Sequence, residues 1–173
     1  MYLKGKLMSN FYLNQLKLNS DFDKSALLLW VFHVDKKAPH AGISFNEKYF
    51  SSKVNGKDVD FPVDSLISII NSKKIAVLIF ELEAKVLKIS LNSIFSEEYT
   101  RIQHGDSCLT PIIKAMGKTD QSYILDDLIY ELNEELNIIN VFGLNLPEGF
   151  QSIPSYDFEF VQKRLAELRV NGK

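Results

Sequence analysis

Residues 26–34 read ALLLWVFHV, an apolar run interrupted only by His33. A strand with one wet face alternates apolar and polar side chains. An unbroken run predicts a strand covered on both faces. The run is far short of the roughly 20 residues that span a bilayer, so no membrane span is expected. It implies a sheet with packing layers on both sides. Residues 35–39 (DKKAP) break it. Residues 40–45 and 49–54 then read as two strands joined around Asn46-Glu47-Lys48, and 55–58 (NGKD) as the next turn.

Phe61-Pro62-Val63 opens a helix with Pro near its first turn and a stripe of Leu66, Ile69 and Ile70. Residues 75–82 (IAVLIFEL) form a strand rich in β-branched residues, and 86–91 (VLKISL) are expected to pair with it. Upstream, 11–18 read as a first strand and 19–24 as a turn. Downstream, 92–99 read as a short helix, 103–107 (QHGDS) as a polar loop and 108–116 as a helix that Gly117 caps. Leu125, Leu128, Ile129, Leu132 and Leu136 recur at helical spacing within the longest predicted helix, 121–137. Residues 141–155 read as a linker. Ser155 then caps a last helix striped by Phe158, Val161, Leu165 and Leu168. Strands fill the first half and helices the second. The expected fold is α+β, an antiparallel sheet packed by several helices in a single domain over 1–173.

The chain has 173 residues, 20 Lys plus Arg, 22 Asp plus Glu and a net charge of -2, so no basic excess marks it for nucleic acid. The pairs Lys36-Lys37 and Lys73-Lys74 are too short for that signal. One cysteine excludes an internal disulfide framework and a Cys-rich zinc site. Three histidines without local ligand spacing point to no metal, and the scattered glycines form no phosphate loop, so no cofactor is expected. The start MYLKGKLMSN lacks an apolar signal region, so cytoplasmic residence is expected. Signal-independent secretion would leave the same sequence, and Met8 is an alternative start.

The pair that bears on chemistry is His40 and Cys108. Cys108 follows Gly105-Asp106-Ser107 and opens a predicted helix. Helix-terminal N–H groups there lower a thiol pKa and hold an oxyanion. A nearby histidine completes an activated nucleophile. His104, in the same loop, is a rival base. An orienting group for His40 comes from the following hairpin. A two-residue loop at Glu47-Lys48 sets Asn55 opposite His40, whereas an odd loop centred on Glu47 sets Val54 opposite and Ser52 diagonal. Plain structural roles stand beside these: a buried Cys108, an exposed strand-start His40, a core or strand-edge His33 and a turn role for Asn55. The carboxylate pairs 97–98, 126–127 and 134–135 read as solvated helix faces.

His40-Ala41-Gly42-Ile43 opening a strand, followed much later by Cys108 at a helix start, resembles the circularly permuted papain-like superfamily. That group includes permuted NlpC-type amidases and lecithin:retinol acyltransferase-like enzymes. Tyr99 corresponds loosely to a Tyr that often precedes the cysteine. The chain departs at Ser107, where many members carry Asn, and at Leu109-Thr110-Pro111, where a His-rich motif is absent. The resemblance covers residues 40–117. It implies a cysteine hydrolase or acyltransferase acting on an amide, ester or thioester of a small molecule or peptide. The alternative is a non-catalytic interaction or inhibitor protein that binds a protein partner, with an exposed apolar patch on the Leu128/Leu132 helix or the hairpin edge.

Overall fold

Strand β2 (Leu27–Phe32) is buried at every position. Its side chains divide between two cores. Leu27, Leu29 and Val31 join one cluster, and Leu28, Trp30 and Phe32 the other. Each such side chain contributes about 1.5–3 kcal/mol of hydrophobic burial, which is why the run sits at the centre of the molecule. The computed structural model describes residues 11–18, 21–98, 102, 105–119 and 124–171.

Around β2 lie β1 (Leu16–Lys17), β3 (His40–Phe45), β4 (Lys48–Lys53), β5 (Gly56–Pro62), β6 (Val77–Leu82) and β7 (Ile138–Leu144). They form a seven-stranded sheet in the order β1-β7-β6-β2-β3-β4-β5. Every neighbouring pair is antiparallel except β1 with β7. The helices are α1 (Val63–Ser72), the single turn α2 (Leu91–Ser93) running into a π-helical turn at Ile94–Glu98, α3 (Thr110–Ala115), α4 (Leu125–Glu134) and α5 (Phe158–Asn171). Helix α1 packs Val63, Leu66 and Ile70 with Trp30 and Phe142 on one sheet face. On the other face Phe95, Ile112, Leu128 and Leu132 meet Leu29, Ile43 and Phe80. The fold is α+β. Among the described residues no helix is long and apolar enough to cross a membrane.

Several boundaries differ from the sequence reading for identifiable reasons. Residues 86–91 do not pair with β6, because β2 and β7 already occupy both its edges. A 3-10 turn, Ala84–Val86, stands there instead. The expected linker begins inside β7, a strand disguised by Gly143 and the nearby Pro147. Residues 56–58, expected as turn, and 61–62, expected to open the helix, belong instead to β5, an edge strand whose charges protect its open side. Helix α4 ends before Leu136, which takes φ +54°. It spans 10 residues against 14 in α5, so α5 is the longer. The first strand shrinks to β1 after a 3-10 turn at Phe11–Gln15. Tyr99, His104 and residues 121–123 lie outside the described residues.

Candidate thiol site

The β2–β3 connection turns through two non-glycine residues in the left-handed region, His33 at φ +57° and Ala38 at φ +53°. It delivers Pro39, buried, and then His40 at the start of β3. His40 is the ladder partner of Phe32, and their rings lie 5.9 Å apart. Gly42 has no room for a side chain, since a Cβ would fall on the Tyr49 ring. This is the physical reason for glycine in the His-Ala-Gly-Ile segment.

Between β3 and β4 the ladder stops at Ile43 and Phe50, short of His40 and Ala41. Ile102 and Cys108 lie beside the unpaired ends. The Ile102 N–H donates to the Lys53 carbonyl at 2.9 Å. The Ala41 N–H donates to Cys108 Sγ at 3.4 Å, across 67 positions of sequence. Cys108 lies two residues ahead of α3, in a turn rather than in the helix. That turn is fastened by the Ser107 N–H to Thr110 Oγ1 at 2.8 Å and the Leu109 N–H to Ser107 Oγ at 3.2 Å.

A cavity of about 350 Å³ opens here, lined by Cys108 and His40 together. The structure thus brings the two predicted residues to one space. It does not join them by a hydrogen bond: His40 Nε2 is sealed from solvent and has no partner. The electrostatics of both groups depart from an ion pair. Burial pushes the Cys108 thiol up, against the opposing pull of the Ala41, Cys108 and Leu109 N–H groups. The expectation of a lowered thiol pKa is corrected accordingly, because desolvation of the sulfur outweighs the amides of so short a helix. Burial first, then the Lys53 charge, hold His40 down at about 4. Both groups are neutral near pH 7.

The hairpin register corrects the orienter assignment. Ile43 pairs with Phe50, Ser44 with Tyr49 and Phe45 with Lys48 around a two-residue turn at Asn46-Glu47. Neither predicted register holds, and the same spacing extended to the end of β3 sets His40 level with Lys53. Asn55 is exposed in the β4–β5 turn, away from the cavity lining. Ser52 is fully buried, with its Oγ unpartnered, and also does not line the cavity. His33 is exposed rather than core. It lines the cavity, with its pKa lowered by burial and then by the Lys36 charge.

The lining residues missed as site members include four able to meet a polar ligand. Tyr156 accepts the Leu125 N–H through its hydroxyl at 3.3 Å, and Lys36, Lys37 and Arg164 bring positive charge. The three basic residues carry no local motif, and Tyr156 sits beyond the misread linker. Burial, then Asp127, raise the Asp126 carboxyl. Among the described residues no group of three His, Cys, Asp or Glu is placed to hold a metal. Comparison with family models, with curated proteins and with solved structures finds no significant match to this chain.

Proposed function

We propose that the chain is a cysteine-dependent hydrolase or acyltransferase acting on an amide, ester or thioester. The observation that carries this reading is the convergence of Cys108 and His40 on one cavity, with Sγ held by the Ala41 N–H. The resemblance to the circularly permuted papain-like superfamily belongs to the same proposal. Sγ attacks the carbonyl carbon as its proton passes to the His40 imidazole. The C–S bond forms, and the carbonyl oxygen becomes an oxyanion beside the Cys108 N–H. Collapse breaks the bond to the leaving amine, alcohol or thiol, which takes the proton back from His40. Water or a second nucleophile then releases the acyl group. A neutral thiol and a neutral imidazole start this sequence, so proton transfer accompanies attack instead of preceding it. The ring turns toward sulfur first, because its Nε2 is sealed at rest.

The test is turnover of a panel of p-nitrophenyl esters, anilides and thioesters by wild type, Cys108→Ser and His40→Ala. Turnover lost in the first variant, and reduced by roughly 10²–10⁴ in the second, is the expected result for a nucleophile with its base. Equal rates in all three would remove the enzyme from consideration. A second reading, a non-catalytic interaction protein, draws on α5, which exposes Phe160, Leu168 and Val170 at 37%, 40% and 73%. Leu128 and Leu132, the helix expected to carry such a patch, are buried.

A further inference from the structure

The wall of the Cys108 cavity is divided by chemistry. Its apolar part includes Ile102, Leu109, Leu125 and Leu165. Among the described residues its charged lining is Lys36, Lys37 and Arg164, with no carboxylate. All three cations are exposed, so they stand on the solvent side and not under the cavity. Two arrive on the β2–β3 connection and the third on α5. The Lys37 ammonium lies 5.9 Å from the Phe160 ring centre, which places that charge against α5. The Lys36 charge reaches His33, another lining residue. Among the described residues Arg164 has a long, exposed contact to Glu167 at 3.4 Å. Among the described residues no salt bridge engages Lys36 or Lys37. Carboxylates act on three lining groups: Asp35 on His33, Asp58 on His40, and Asp126 and Asp127 on the Tyr156 hydroxyl.

A chain whose net charge is -2 has thus gathered three cations around an apolar hollow. Like charges gathered at one mouth repel only weakly where water screens them, but they focus a positive potential on the hollow. It suits a ligand that brings the opposite charge. We infer that this cavity binds an anionic amphiphile, an apolar arm inside and a carboxylate or phosphate held at the mouth by Lys36, Lys37 and Arg164. The volume, about 350 Å³, lies at the small end of the ~300–1,000 Å³ range of small-molecule sites. At ~30 Å³ for each water-sized group, it admits an arm of about ten carbons. This inference rests on the proposed thiol chemistry only in that the ligand would be its substrate or a fragment of it. The ligand contacts are independent of catalysis.

The experiment uses Cys108→Ser, which removes the nucleophile and keeps the cavity. Decanoate, decyl phosphate, decanol and decyltrimethylammonium are titrated calorimetrically below their aggregation concentrations. Decanoate or decyl phosphate is expected to bind one per chain, at least roughly tenfold more tightly than the neutral and cationic probes. Whichever binds more tightly identifies the head group. Replacing all three cations, Lys36→Ala, Lys37→Ala and Arg164→Ala, is expected to erase that preference. These positions are exposed, so the fold tolerates the change. In wild type the bound anion should also slow Cys108 alkylation, which ties binding to this cavity. Absence of saturable binding, equal affinity for all four probes, or binding that leaves alkylation unchanged would each overturn the inference. Binding with no turnover in the ester panel would keep the ligand site and remove the enzyme.

Discussion

Cys108 is held by backbone, not by an imidazole. The Ala41 amide sits 3.4 Å from its sulfur, while His40 Nε2 contacts no partner. Desolvation therefore decides the thiol's acidity, and it favours the protonated form. Iodoacetamide alkylation of native protein should keep accelerating past pH 9, with no plateau at or below the free value of about 8.5. A plateau near pH 7 would mean that an imidazolium is closer than the structure places it. Ser52 gives a second test at this scale. Its Oγ is buried and unpartnered, so Ser52→Ala removes an unsatisfied group. The unfolding free energy from urea titration is expected to stay or rise, by up to about 1 kcal/mol, and turnover to stay unchanged. A fall in turnover with stability intact would restore Ser52 as an orienting residue. The sequence could place His40 and Cys108 as candidates, because each stands at an element boundary. It could not place Asn55, because one residue of hairpin register decides which side chain faces His40.

Helix α5 is thinly anchored beside the site. Of its 14 residues only Leu165 is buried, and Val161, Arg164 and Leu168 join it in lining the cavity. Polar ties add to this, among them Gln162 Nε2 to the Asp106 carbonyl at 3.0 Å. Such an element opens locally at a free energy well below that of global unfolding. Leu165→Ala should cost about 2–3 kcal/mol of that local closure and speed native Cys108 alkylation roughly 30-fold or more. An unchanged rate would show that access to the thiol does not pass α5. The elements legible in the sequence were those whose burial is uniform. Strands β2 and β6 are apolar almost throughout, and α1 shows its Leu66 and Ile70 stripe. Strand β5 was illegible because an edge strand carries charge and Pro62 by design against pairing. Strand β7 was illegible because Asn140, Gly143 and Pro147 give it the composition of a loop. Residues 86–91 look like a strand, but no sheet edge beside β6 was left for them.

Across the whole molecule, the site lies where the sheet runs out of pairing. Strands β3 and β4 stop pairing beyond Ile43 and Phe50, Ile102 and Cys108 bond to the freed ends, and His40 is buried beside them. That burial links the site to global stability. The folded pKa of His40, about 4, lies below its ordinary 6.5, so between these values the unfolded chain binds more protons. The stabilising contribution is present above about pH 6.5 and is lost as pH falls toward 4. Between pH 7 and 4.5 wild type should lose about 2–3 kcal/mol that His40→Gln does not, read as the difference between their urea transitions. Parallel losses would show a solvated His40. The fold class is recoverable from sequence because it follows from bulk patterning. The site depends on a gap between two strands, which no local pattern records. The most direct measurement compares two electrophiles at pH 7.5, iodoacetamide and p-nitrophenyl acetate, on native and on guanidinium-unfolded protein. Alkylation needs a free thiolate, whereas acylation also gains from a base and an oxyanion site. The account predicts alkylation slower in the native protein and acylation of Cys108 faster, with His40→Ala removing the second advantage alone. Slower native reaction with both reagents would contradict it and leave Cys108 a core side chain.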